Sequence, residues 1–195
     1  GSFGDVGCFS AHPLKNLNAS GDGGFFTTNN KKFWSKAKEI SNLGLINRNI
    51  VKEFGHVSRL DNLQAAILNY RLDNINSVIS RRRKNAKFYI ENLNKIKILH
   101  PCEKNHQFNT YHTFVIQVGE RDSLKEFLEK KGIQTAIHYP TPIHLQPASK
   151  RFGYKLGDFP VTENQAKKII TLPIHQYLSV SDLKYIVKCV NEFYG

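Results

Sequence analysis

Apolar residues recur at helical spacing along the longest patterned stretch of the chain: Leu60, Leu63, Ile67, Leu68, Leu72, Ile75 and Ile79 follow the three-to-four-residue interval of one helix face. Ser58 precedes them as a candidate N-cap. The pattern runs on through Phe88 and Leu93 with a break near residues 77–80, which predicts a long helical connection between two lobes. Upstream, residues 23–28 read as a strand and residues 31–43 as a helix stopped by Gly44, the residue type that most readily ends a helix. The residues before them form a loop dense in glycine and small polar side chains. After Pro101 the period changes. Residues 113–118 alternate like a strand, 121–131 predict a helix closed by Gly132, and 133–139 predict a second strand. A loop punctuated by Pro140, Pro142 and Pro147 follows, too irregular to be filler alone. A helix over 162–170, a short segment at 172–174 and a helix over 181–193 complete the pattern. The fold class is α/β, ending in a small α+β lobe, with no internal repeat.

Composition narrows the function classes. With 195 residues, 40% hydrophobic and 23% charged, the chain has the make-up of an ordinary globular protein rather than of a disordered tail or a collagen-like rod. No apolar run approaches the roughly 18 residues of a membrane span, and the first residues lack the pattern of a signal peptide. A soluble, cytoplasmic protein without a membrane partner is the expectation. Cys8, Cys102 and Cys189 are odd in number and far apart, so reduced thiols are expected rather than a disulfide framework. The net charge of +12 draws anions. The densest basic run, Arg81 to Lys84, lies in a helical pattern without interleaved aromatics or a nucleic-acid motif, and reads as a solvated helix face. No nucleic-acid partner is expected.

The chemistry concentrates in Gly7-Cys8-Phe9-Ser10-Ala11-His12-Pro13-Leu14-Lys15-Asn16-Leu17, followed by Gly21-Asp22-Gly23-Gly24. An amine held in a proline-flanked turn can condense with an aldehyde once it is unprotonated. A nearby serine can donate to a phosphate, and glycines let backbone approach a flat ligand. By residue type alone, Lys15 reads as one more surface charge.

The string from Cys8 to Leu17 resembles the cofactor-lysine motif of the DegT/DnrJ/EryC1/StrS family of pyridoxal-phosphate sugar aminotransferases. Gly55-His56-Val57-Ser58-Arg59-Leu60-Asp61-Asn62 is similar to the family's helix-opening segment. His138-Tyr139-Pro140 with Pro142-Ile143-His144 resembles its substrate loop, and Asp158-Phe159-Pro160 with Leu172-Pro173-Ile174 its C-terminal signature. The matches stand in the family's order and span nearly the whole chain. The resemblance implies a fold-type I, aspartate-aminotransferase-like enzyme. Residues 1–95 would be the end of the cofactor-binding large domain plus the linking helix, and residues 96–195 the small C-terminal domain. The implied reaction moves an amino group, from glutamate, onto a keto group of a nucleotide-diphosphate sugar, as in amino-sugar and polysaccharide biosynthesis. Pyridoxal 5'-phosphate is the implied cofactor. Lys15 is then the lysine that bonds to the cofactor and shuttles the proton, Ser10 binds the phosphate, and His12 either contacts cofactor or sugar or simply packs in its loop.

The resemblance also implies a homodimer with shared active sites, in which the segment carrying Ser58 and Arg59 reaches the partner's cofactor. His138, Tyr139 and His144 are implied substrate contacts, with loop packing the alternative. A metal site is not expected, because no carboxylate or cysteine stands at ligand spacing from them. Two departures qualify the match. Val57 stands where many members have an asparagine that donates to the phosphate, so His56, Ser58 or Arg59 must compensate or the cofactor is held less tightly. The resemblance begins only a few residues before the lysine, and the chain has no methionine; both imply a C-terminal portion of a longer enzyme. A catalytically incomplete association module is the competing reading.

Overall fold

A computed structural model describes residue 1 and residues 3–195. It opens with an antiparallel hairpin, β1 (Gly7–Ser10) against β2 (Gly24–Thr27), in the register Gly7 to Thr27 through Ser10 to Gly24. The lysine-bearing loop, residues 11–23, is therefore the connection between two paired strands. Phe9 and Phe25 stack across the pair at 5.0 Å, a cross-strand contact that fixes register. A side chain at Gly24 would place its Cβ 2.8 Å from the Phe9 carbonyl oxygen, so only glycine admits this close strand approach. The sequence pattern missed β1, because its residues follow the glycine-rich opening without a run of strand formers.

Helix α1 (Lys31–Ile40) starts at Asn30, whose side chain accepts hydrogen bonds from the backbone N–H groups of Lys32 and Phe33. It ends three residues before the predicted stop. Its C-cap Ser41 donates its backbone N–H to the Ala37 carbonyl, and the chain reverses through Leu43 and Gly44, at φ 61° and 72°. An added Cβ at Gly44 would strike the Glu53 carbonyl. A short hairpin follows, β3 (Leu45–Asn47) with β4 (Ile50–Val51).

Helix α2 (Asn62–Leu72) begins after Asp61, not at Ser58. Ser58 gives its backbone N–H to the Ser41 carbonyl, and Val57 forms an antiparallel bridge with Asn42; this extended pairing keeps residues 57–58 out of the helix. The break before α3 (Ile75–Asn92) falls at residues 73–74, and residues 77–80 are continuous helix.

Residues divide into two units, Gly1–Asn76 and Ser77–Gly195, so the body of α3 belongs with residues 96–195 rather than with residues 1–76. In the first unit the buried core is small: Ala11, Ala19 and Leu68, with Leu17 and Leu60 against them. Helix α1 buries none of its side chains, and Phe25, Trp34, Leu63 and Leu72 are exposed.

The second unit is built on a three-stranded antiparallel sheet ordered β5 (Ile98–Leu99), β6 (Phe114–Val118), β7 (Ile169–Leu172). Alternation along β6 sends Phe114, Ile116 and Val118 into the core. There they meet Ala86 and Tyr89 of α3, Leu124 and Leu128 of α4 (Arg121–Lys130), Ile170 and Leu172 of β7, and Ile186 and Val190 of α6 (Val180–Tyr194). Ser179 and Asp182 form a reciprocal capping box at the start of α6. Helix α5 (Pro160–Lys168) is closed by Arg121, whose Nη1 donates to the carbonyls of Ala166 and Ile169 at 3.3 Å each. Residues 169–170, expected to end that helix, open β7 instead.

Two expectations fail here for stated reasons. Residues 133–139 form no strand: Ala136 exchanges one pair of backbone bonds with Thr171 and the chain then leaves the sheet. Pro140 and Pro142 have no N–H to extend a ladder. Nor is the Arg81 to Lys84 run a solvated face. Arg82 is 8% exposed; its Nη1 donates to the carbonyls of Tyr111 and His112 at 3.2 and 3.1 Å, and its Nε to the Gln176 side-chain oxygen at 3.1 Å. Arg83 meets both Glu103 carboxylate oxygens, at 2.8 and 3.0 Å. This fork geometry holds the Glu103 carboxyl below the usual range, chiefly through the Arg83 hydrogen bonds. Arg81 and Lys84 are exposed.

Candidate functional site

In the first unit, the lysine loop starts where β1 ends. Ser10 is exposed at that end, and its Oγ accepts the His12 backbone N–H at 3.3 Å. Pro13 sits at the second position of a turn that closes when the Lys15 N–H donates to the His12 carbonyl at 2.9 Å, where the fixed φ of proline is favourable. The turn leaves Lys15 half-buried and His12 exposed. The His12 ring accepts the Leu14 N–H on Nδ1 at 3.2 Å, and its Nε2 lies 3.9 Å from the Asp22 carboxylate.

What holds this loop in place lies on α2. Arg71 Nη1 donates to the carbonyls of Asn18 and Ala19 at 2.7 and 3.1 Å, and the Gln64 side-chain oxygen accepts the Ser20 N–H at 2.7 Å. Gln64, Leu68 and Arg71 share a helix face at i, i+4 and i+7. Leu68 packs on Ala11 and Ala19, so this face grips the loop at both an apolar and a polar level. The sequence held that signal, since the spacing is visible in it; the reading followed the apolar positions and passed over the two polar ones. Replacing Arg71 by methionine removes two bonds from a charged donor, worth about 1.5–3 kcal/mol. Urea denaturation of the complete protein is expected to show a loss of that size, together with weaker cofactor retention.

Ser58 and Arg59, the other expected cofactor contacts, are both exposed on the approach to α2. Arg59 shares with Trp34, Lys38, Glu39 and Arg48 the lining of a cleft of about 800 Å³. Val57 is 67% exposed.

In the second unit, the exposed His138 and Tyr139 line a cleft of about 630 Å³ together with Pro142, Ile143, Gln146, Thr162 and Gln165. His138 is fixed by a 2.9 Å bond between its Nδ1 and the hydroxyl of Thr171 on β7. His144 does not join this pair. It is 7% exposed, its Nε2 lies 2.9 Å from Glu163 Oε1, and its ring packs on Phe159 at 4.7 Å. Its place is inside the loop, the packing alternative to a sugar contact. Glu163 also accepts backbone N–H bonds from Gly157 at 2.9 Å and Phe159 at 3.3 Å. Burial raises its carboxyl pKa, but the bonds from His144, Gly157 and Phe159 outweigh that and hold it below the usual range.

The profile of the DegT/DnrJ/EryC1/StrS aminotransferase family matches residues 1–191. Among curated relatives, the chain is 36% identical over 195 residues to a dTDP-3-amino-3,6-dideoxy-alpha-D-galactopyranose transaminase of Aneurinibacillus thermoaerophilus, covering 99% of this chain and 53% of that one. It is 34% identical over 197 residues to a pleiotropic regulatory protein of Geobacillus stearothermophilus, covering 100% of this chain and 53% of that protein. The crystal structure of Streptomyces venezuelae DesV superposes with a TM-score of 0.92 at 32% identity, over 97% of this chain and 52% of that one. The chain thus spans about half the length of the curated relatives it matches.

Proposed function

The chain belongs to the DegT/DnrJ/EryC1/StrS aminotransferase family, and from that premise we propose that the complete protein transfers an amino group from L-glutamate to a keto carbon of a nucleotide-diphosphate sugar. The observation that carries the proposal is the lysine loop: an amine in a closed turn, a serine hydroxyl at its strand end and a glycine-only strand approach, clamped by Arg71 and Gln64. That donor set fits pyridoxal 5'-phosphate, the family's cofactor, which needs an amine for its aldehyde and hydroxyl or backbone donors for its phosphate. When bound, the cofactor supplies the electron sink for the reaction.

In this reading Lys15 Nζ would carry the proton between the substrate carbon that bears the amino group and the cofactor's aldehyde carbon. Ser10 Oγ donates to the phosphate, and His12 borders the same space. Ser58 and Arg59 face the cofactor of a second subunit, so the protein works as a homodimer with isologous sites; the exposed apolar side chains of the first unit support such a covered surface. His138 and Tyr139 take the sugar end of the substrate. We assign the enzyme to the cytoplasm and to the supply of amino sugars for surface polysaccharides such as O-antigen.

Incubating the purified complete protein with pyridoxal phosphate, 2-oxoglutarate and dTDP- or UDP-linked 3-amino sugars tests this directly. Glutamate release is the expected result; a protein that binds the cofactor and releases none from any of these sugars contradicts the sugar assignment. A protein that binds no cofactor would instead favour a module that only associates with another chain. The exposed Val57 gives a second test. An asparagine there can donate one charge-assisted bond to a phosphate oxygen, so Val57→Asn is expected to tighten cofactor binding about tenfold in a fluorescence titration. An unchanged or weaker affinity means that oxygen already has its donor.

A further inference from the structure

The cleft that His138 and Tyr139 line has one wall from residues 138–146 and another from residues 162–169, and Val115 of β6 also lines it. The first wall belongs to a long connection, residues 137–159, whose only regular elements are 3-10 turns at Ile143–Leu145 and Pro147–Phe152. Three prolines deprive it of backbone donors, and residues 151–160 are all exposed, so side-chain anchors must set its course. One carboxylate gathers three of them. Glu163, 9% exposed, accepts from the His144 ring, from Gly157 on both oxygens at 2.9 and 3.1 Å, and from Phe159. His144 in turn packs on Phe159, and Phe159 on Tyr154 at 5.2 Å. Eight residues after Glu163, Thr171 holds the other end of the connection through the His138 ring and the Ala136 backbone. The segment from α5 to β7 therefore fastens the loop near both ends, with Tyr139 between the two anchors.

We propose that Glu163 is a positioning residue: by tying His144, Gly157 and Phe159 to one buried carboxylate, it fixes the place of Tyr139 on the cleft wall, beside His138, which Thr171 holds. This rests on the reading that Tyr139 and His138 take the sugar. It touches neither cofactor nor reacting atoms and acts only through the loop. Removing the carboxylate frees three donors at once, and the loop loses the one centre that its middle and far end share.

Fluorotyrosine incorporated into the complete, cofactor-loaded protein tests this without a substrate, the Tyr139 fluorine resonance being assigned by its loss in Tyr139→Phe. Glu163→Ala is expected to shift or broaden that resonance while the Tyr89 resonance in the core stays put. Glu163→Gln, which keeps a side-chain oxygen for the Gly157 and Phe159 donors, is expected to restore it. His144→Phe, which keeps the ring packing and loses the bond, serves if the alanine variant does not fold, and is expected to shift it in the same direction. With the dTDP- or UDP-linked amino sugar that wild type turns over, Glu163→Ala is expected to raise KM about tenfold, the size of one lost hydrogen bond, with kcat nearly unchanged. An unmoved Tyr139 resonance in both Glu163→Ala and His144→Phe overturns the proposal. So does a moved resonance with an unchanged KM, if Tyr139→Ala raises KM; if Tyr139→Ala leaves KM unchanged as well, the failure lies in the substrate reading on which the proposal rests.

Discussion

Lys15→Ala in the complete protein is expected to abolish the proposed amino transfer, lowering the rate by at least ~10³-fold, and to leave the fold intact. The size follows from the work the proposal asks of one amine, to bind the cofactor's aldehyde and to move the proton; a positioned proton-transfer group alone contributes about 10²–10⁴-fold. The fold survives because the turn around Lys15 is closed by backbone, its N–H on the His12 carbonyl, and held by Arg71 on the carbonyls of Asn18 and Ala19. None of these bonds uses the lysine side chain. Steady-state rates with an amino sugar and 2-oxoglutarate, set beside a thermal melt followed by circular dichroism, check both halves. A variant that retains a substantial rate contradicts the role of Lys15, whereas one that melts far below wild type shows that the side chain holds the fold.

The largest effect on stability is expected at Phe114. Its side chain is fully buried on the central strand β6, its ring 5.1 Å from that of Tyr89 and 6.1 Å from that of Tyr111. Truncation to alanine loses the transfer energy of the ring and leaves a cavity that a strand bonded on both sides closes poorly. Such a change costs about 3–5 kcal/mol. Ile96, 91% exposed just before β5, is the control, since truncation at an exposed site costs within about 0.5 kcal/mol. Urea denaturation of the complete protein, followed by a probe in this unit, should separate the two by several kcal/mol. Equal costs would mean that the sheet's apolar face is not the core of this unit.

The sequence carried the second unit better than the first, and the reason is local. Helices α4 and α6 show apolar positions at helical spacing between strong signals: Gly132 at φ 75° after one, the Ser179 and Asp182 capping box before the other. Strand β6 alternates cleanly. What escaped were features decided by partners distant in sequence. The pairing of Val57 with Asn42 moved the start of α2 past Ser58, and Ala136 makes a single bridge to Thr171 where a strand was expected. Arg82 reads as one of four surface cations until the carbonyls of Tyr111 and His112 are seen to bury it.

The candidate site divides in the same way. Lys15, Ser10 and His12 were named through the resemblance of one contiguous string, and residue type alone would not have raised Lys15 above the other lysines. The residues that support the site lie at mixed distances: Arg71 and Gln64 stand far along the chain from the lysine loop, as Thr171 does from His138, whereas Glu163 reaches back to His144 but also holds its near neighbours Gly157 and Phe159. For His144 the sequence supplied the residue type but not its depth, and depth is what moves it from substrate contact to loop anchor.

The central claim, that this lysine loop is the cofactor site of a family aminotransferase, meets its most direct test in one measurement. The complete protein is loaded with pyridoxal phosphate, treated with borohydride, digested and analysed by tandem mass spectrometry. The account predicts a stable pyridoxyl group on Lys15 and on no other lysine. The group on a different lysine, or on none, would contradict it.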